Sequence, residues 1–252
     1  MSYLEKLDIM SNKRITIFIA FLFLLNSISI KSSGQDQSTV INKLIEGIGG
    51  EGSLREARFI MFSCINEGQI EIQKEHTYIY DWETKDCRFE GKTKDGETLT
   101  ALFNAQNDSG QLYLNNERSQ NPELLKSITQ LFKEDSYFLF IPILIANKSL
   151  NVVVQNPEII DSKRYFVLKV SSPNNESESA KLYIDSQTGI IGKWDIFNED
   201  QKTHEFLASR IKDVGGGLTL ATKFTDKING ITFQYPIAAA LLNIETSKFK
   251  NL

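Results

Sequence analysis

The 252-residue sequence predicts a mainly β fold of the α+β class, with about eleven antiparallel strands, an N-terminal helix and a helical segment in mid-chain. Three observations point there. Short runs rich in β-branched and aromatic residues recur at the roughly 8–12-residue spacing of sandwiches and barrels, punctuated by Gly, Asn and Asp. Two stretches alone space their apolar residues for a helix. The composition, 41% hydrophobic and 24% charged, is that of a globular chain with a real core.

The first 34 residues read differently. Lys13-Arg14 precede the uncharged run "ITIFIAFLFLLNSISI", Ile15 to Ile30, and "KSSGQDQ" follows. A basic lead, an apolar centre and a small-residue exit are the parts of a secretory signal peptide. The expectation is a signal at 1–34, cleaved near 32–34, and a single exported, periplasmic domain at 35–252. The apolar run is 16 residues long, short for a span of roughly 20, and Asn26, Ser27 and Ser29 dilute it. An uncleaved anchor is the alternative. No Cys follows the run, so the signal is not of the lipoprotein kind. A start at Met10 would give it the usual length. Without residues 1–34 the chain keeps 24 basic and 30 acidic residues, a net charge of −6. With no basic cluster besides, nucleic acid is not an expected partner.

From Ser38, "STVINKLIEGIGG" places Val40, Ile41, Leu44, Ile45 and Ile48 at helical spacing, with Ser38 as cap and Gly49-Gly50 as the left-handed stop. "GGEGSLR" lacks the Lys-Ser/Thr of a phosphate loop and reads as that stop followed by a turn. Then come "ARFIMFSCI", "QIEIQKEHTYIYDW", "KDCRFEGK", "TLTALFNA" and "GQLYLNN", a hairpin meander. After the mid-chain helix, "RYFVLKVSS", the loop "PNNESES" and the hairpin "AKLYID-SQTG-IIGKWDIFNED" resume it. "THEFLASRIKDV", "GLTLATKFTD", "GITFQY" and "IAAALLNIETSKF" finish the series, with "GGG" at 215–217 as a sharp corner. Cys64 and Cys87 fall at separate positions of this meander, too far apart along the intervening strand to bridge, and are expected as buried free thiols.

The interruption is "NPELLKSITQLFKEDSYFLFIPILIAN". Leu124, Leu125, Ile128, Leu131 and Phe132 are at helical spacing, and Pro122 suits a helix start. Nine apolar residues in a row follow, Phe138 to Ala146, with Pro142 expected to bend or end the helix. The run is too short to span a bilayer and too apolar for a surface loop. It must cover the sheet. The expected arrangement is one curved sheet from 57–118 and 150–250, with helices at 39–48 and 122–140 on its concave face. Phe138, Phe140, Ile143 and Leu144 then plug its mouth.

Little in the chain suggests catalysis. "HEFLA" at His204 lacks the second His of a zinc-protease helix, and His76 has no neighbouring Cys pair, so both histidines read as ordinary strand residues. No nucleophile elbow occurs. Asp135 reads as the cap of a second helical turn, and Trp82 and Trp194 as core or rim aromatics. A non-enzyme without metal or cofactor is the expectation.

Four stretches, "LREARFIMF", "YDWETKDCRFEG", "DSYFLFIPILI" and "LYIDSQTGIIGKW", together with the GGG corner and "LTLATKF", resemble the periplasmic lipoprotein carrier (LolA-like) superfamily, in its uncharacterised exported bacterial members. The resemblance implies an unclosed antiparallel β-barrel of about eleven strands, with a helical lid on the concave face and an acyl chain held in the cavity. It implies a latching arginine, for which Arg58 and Arg88 correspond in general position. The residues that would line the cavity and lid are Leu125, Ile128, Phe132, Phe138, Phe140, Ile143, Leu144, Trp82 and Trp194. The implied partner is a lipid or an acylated lipoprotein. Relatives that act as sensors imply the alternative, a module with a filled cavity that binds an envelope protein. A continuous apolar pocket of several hundred Å3 would favour the first. A mouth filled by Phe138, Phe140 and Leu144 would favour the second.

Overall fold

The computed structural model describes residues 36–65, 72–73, 75–171 and 178–252. The expected signal at 1–34 lies outside them, as does most of the loop expected after Ser171. Two helices open the described chain, α1 at Gln37–Gly47 and α2 at Gly50–Glu56. Asp36 rather than Ser38 caps α1, its carboxylate accepting from the Ser38 N–H. Val40, Ile41 and Leu44 form the buried stripe. Gly49 takes the left-handed conformation (φ 112°), as the double glycine suggests. The chain then winds a short second helix where a turn was expected. The Ser53 hydroxyl helps by donating back to the Gly49 carbonyl.

A meander follows: β1 at Phe59–Cys64, β2 at His76–Asp81, β3 at Asp86–Lys92, β4 at Thr98–Asn104, β5 at Gly110–Leu114 and β6 at Glu117–Ser119. Helix α3, Pro122–Ala146, leads to a second one: β7 at Val152–Ile160, β8 at Lys163–Ser171, β9 at Glu178–Asp185, β10 at Ile191–Asn198 and β11 at Gln201–Asp213. Strands β12 at Thr219–Asp226, β13 at Thr232–Gln234 and β14 at Ala238–Leu241 complete it. The count exceeds eleven because β6, β13 and β14 are three or four residues long, too short to display an alternating pattern.

All pairings are antiparallel. They form two seven-stranded sheets, β14-β1-β2-β3-β4-β5-β6 and β13-β12-β11-β10-β9-β8-β7, where one curved sheet was expected. The split has a local cause. The chain steps from one sheet to the other through Tyr235-Pro236-Ile237, and Pro236 has no N–H with which to continue a ladder. Bonds across the step hold the sheets together along one seam. Ile65 N–H donates to Gln234 O (2.9 Å), Ser63 N–H to Ile237 O (3.0 Å) and Ala240 N–H to Val214 O (2.7 Å). The opposite edges, β6 and β7, pair with no further strand among the described residues, so the barrel is unclosed.

Glycine sets two close approaches. A Cβ on Gly47 would lie 2.4 Å from the Gly189 carbonyl carbon, so α1 sits backbone to backbone on the β9–β10 turn. At the expected corner, Gly215, Gly216 and Gly217 all have positive φ (122°, 61° and 79°), a run that side chains with a Cβ disfavour. On the outer face, Phe59 stacks on Phe249 at 6.0 Å, which docks the C-terminal turn Thr246–Phe249.

Candidate functional site: the plugged interior

Helix α3 enters after the β6 edge, leaves before the β7 edge, and lies in the hollow between the sheets. Asn121 caps it, its side chain accepting from the Leu124 N–H, and Pro122 occupies the first turn. Pro142 does not end it. The helix runs on to Ala146, past the expected limit near residue 140. Packing on all sides holds the last turn, although Pro142 withdraws one backbone donor.

Residues two apart on a helix point about 200° apart, and α3 uses both directions. Phe140 meets the first sheet, with ring centroids 5.7 Å from Phe62, 5.1 Å from Tyr80 and 4.6 Å from Trp82. Phe132 joins that cluster, 5.3 Å from Tyr80 and 5.7 Å from Phe103. Phe138 faces the second sheet. It stacks on Phe224 at 4.4 Å and meets Phe206, Trp194 and Phe233 at 4.8, 5.2 and 5.2 Å. This explains the unbroken apolar run: the second half of α3 has no solvent face to make polar.

The nine residues proposed from sequence all belong to this region. Ile128, Phe132, Phe138, Phe140, Ile143 and Trp194 are buried, while Leu125, Leu144 and Trp82 are half-buried against the same core. The best-formed hollow measures about 20 Å3 and lies between Pro142, Phe138, Trp194, Phe224 and Ile48. That is room for about one water molecule. The indole N–H groups of Trp82 and Trp194 are buried without a hydrogen-bond partner among the described residues.

At the middle of α3 the core turns polar. Asp135 is not a cap. Its carboxylate is fully buried, with His76 Nε2 2.6 Å from Oδ2 and the Tyr78 hydroxyl donating to the same oxygen at 2.9 Å. Tyr235 donates to the Asp135 carbonyl oxygen at 2.7 Å. One helical residue is thereby tied to β2 and to the Tyr235–Ile237 step between the sheets. Burial, and after it the nearby carboxylate, holds the Tyr78 hydroxyl well above its ordinary range, and the Cys64 thiol is pushed far up for the same reasons. Cys64 and Cys87 are free and buried, as expected, and stay protonated.

Asp135 was legible in principle. It continues the stripe Leu124, Ile128, Leu131, Phe132 and Leu139, and a carboxylate on a buried stripe calls for a partner. Its partner, His76, is likewise no ordinary strand residue. His204, the other histidine, is 2.7 Å from Asp226 Oδ2 at the β12–β13 turn. Burial alone would raise Asp226, but bonds from His204, two backbone N–H groups and Asn229 hold it at about 2. Of the two arginines, Arg58 pairs with Asp81 and Glu83, and Arg88 with Glu90 and the carbonyls of Lys248 and Asn251, none of them on α3. Among the described residues no three His, Cys, Asp or Glu side chains gather to hold a metal.

No family model and no curated protein matches this sequence. Solved structures of similar outline exist at low identity. A DUF1329 family protein from Desulfovibrio piger is 10% identical, with 84% of this chain and 96% of that one covered, at a TM-score of 0.47. A LolA superfamily protein from Nitrosomonas europaea is 10% identical over 83% and 95%, at 0.43. The Mycobacterium tuberculosis lipoprotein LppX is 11% identical over 83% and 100%, at 0.33. The chain is similar to these structures in outline, and its unclosed two-sheet barrel stands on its own strand order.

Proposed function

We propose that this chain is an exported, non-enzymatic binding module of the bacterial envelope that carries or senses an apolar ligand, an acyl chain of a lipid or lipoprotein. One observation carries the reading. Helix α3 fills much of the space between the sheets, and it is joined to them in sequence only at the two unpaired edges, β6 and β7. It can leave without breaking a single strand ladder. Its departure would uncover apolar surface from both sheets, an acceptor for an acyl chain. The unpartnered indoles of Trp82 and Trp194 would supply donors to an ester or carboxyl group. With a hollow of only about 20 Å3, ligand must displace α3 side chains rather than enter beside them.

The same filled interior favours a second reading, a module that binds an envelope protein at a sheet edge. The nine-residue strand β7 is an edge, with Val153 63% and Ile159 76% exposed. Native mass spectrometry of the purified mature chain, with titration of a fluorescent fatty-acyl probe, separates the two. Co-purified lipid or saturable probe binding is expected. A ligand-free chain that ignores the probe removes the carrier and leaves the partner-binding module.

Export has its own test. A reporter fused at Gln35 is expected in the periplasm as a soluble product with residues 1–34 removed. Recovery of the uncleaved chain in the membrane fraction would establish the anchor instead.

A further inference from the structure

Of the two unpaired sheet edges, one stretch lacks the devices that keep an edge from meeting other strands. Proteins blunt edges with short strands, charged side chains, proline or a bulge. Strand β6 is three residues long and carries Glu117 and Arg118, both exposed. The second half of β7 holds a bulge: β7 advances from Gln155 to Glu158 while β8 steps only from Val167 to Tyr165, and Pro157 lies inside it. The first half, 152–155, has no charge, no proline and no bulge. It pairs with β8 in regular register, Val152 opposite Val170 and Gln155 opposite Val167. Every second residue of such an edge turns its N–H and C=O groups away from the neighbouring strand.

The outer face beside this stretch is basic. Val153, 63% exposed, stands opposite Lys169 on β8, which stands opposite Lys181 on β9. Like charges directly opposite on a sheet repel. No carboxylate among the described residues pairs with either ammonium group. Asp195 faces Lys181 across β9 and β10, but Tyr183, Lys193 and Lys202 occupy it at 2.9, 3.4 and 3.6 Å. Lys181 lies instead over the Phe197 ring, 5.7 Å from its centroid. Lys169 is left exposed, with a like charge on one side and the open edge on the other. A strand added at 152–155 would lie two strand spacings from β8, about 9–10 Å, which the arms of lysine and glutamate together span.

We propose that 152–155 takes up an extended peptide segment of a partner protein as an added strand, and that Lys169 pairs with an acidic side chain on it. The inference rests on the partner-binding reading of this edge and names the partner's chemistry. Alternation along a strand sets the rest of the segment. Its acidic residue sits beside Val153 on the outer face. The residues before and after it turn to the side of Val152, which is buried, and Val154, which packs on the core, so they are apolar. An anionic bilayer would meet the same lysines, but it offers no ladder partners to the N–H and C=O groups of the edge.

The test follows fluorescence anisotropy of labelled peptides of alternating valine and glutamate against the purified chain, beside valine–serine and valine–lysine counterparts. Saturable binding of the valine–glutamate peptide is expected, weakened by salt, with slowed amide exchange at 152–155. N-methylation of the peptide backbone keeps the charge and removes the ladder donors, so it is expected to abolish binding. Lys169→Glu is expected to weaken the valine–glutamate peptide by up to about tenfold and to strengthen the valine–lysine one by a similar factor, an exposed attraction having become a repulsion. The change also relieves Lys181, so the fold is expected to tolerate it. A valine–glutamate peptide that binds Lys169→Glu equally well, or the wild type no better than valine–serine does, overturns the acidic preference and leaves partner binding at the edge standing. Undiminished binding of the N-methylated peptide overturns strand addition. So does binding of phosphatidylglycerol vesicles with none of the peptides, which marks a membrane contact. No binding of any peptide, with β7 amides exchanging as in the free chain, overturns this proposal and the partner-binding reading with it.

Discussion

Phe138→Ala is expected to lower stability by less than about 3 kcal/mol in urea unfolding, short of the roughly 3–5 kcal/mol for emptying a buried aromatic site in a fixed core, because α3 is displaceable. The ring is 4% exposed and touches aromatics on four strands of the second sheet, so no single neighbour can close the gap. Phe140→Ala is expected to do the same against the first sheet, where Phe62, Tyr80 and Trp82 surround it. A displaceable helix sets a ceiling on both losses. Once the docked state falls below the undocked one, further loss of α3 contacts no longer reduces the stability of the sheets. The measured cost then stops at the free energy of undocking, and exchange of α3 amides separates from that of the strands. Costs at the full range for both variants, with α3 exchanging together with β2 and β12, would make α3 an ordinary core helix. Losses that plateau below about 3 kcal/mol, with α3 exchanging first, support the plug.

Asp135→Leu is the second large effect, at about 3–5 kcal/mol. Leucine continues the apolar stripe of α3 but leaves the His76 Nε2 and Tyr78 hydroxyl groups buried without their acceptor. The cost therefore comes from the partners, and partner replacement should return much of it. Adding His76→Phe and Tyr78→Phe to Asp135→Leu is expected to recover more than half of the loss, because an apolar cluster of similar volume replaces an ionisable one. Strictly additive losses in the triple variant would show that the polar groups act independently and that no cluster exists.

The meander, both principal helices, the free thiols and the glycine corner were all legible, because each is a local matter. Alternation reports a half-buried strand, helical spacing reports a stripe, and Gly215–Gly217 permits backbone angles that other residues avoid. Even the interior position of the 138–146 run followed from its chemistry, since nine apolar residues in water would aggregate. What escaped was relational. Asp135 looked like a cap because Pro142 suggested broken helical turns, and nothing local shows that a strand 59 residues earlier supplies His76. Pro142 stayed inside α3 because packing against two sheets compensates for the lost donor, a tertiary gain that no propensity records. The sequence by itself determined which segments must be buried. Which partners each buried group meets, whether the hollow is filled, and where one sheet becomes two were decided only when the chain closed on itself, because those depend on groups brought together across long separations.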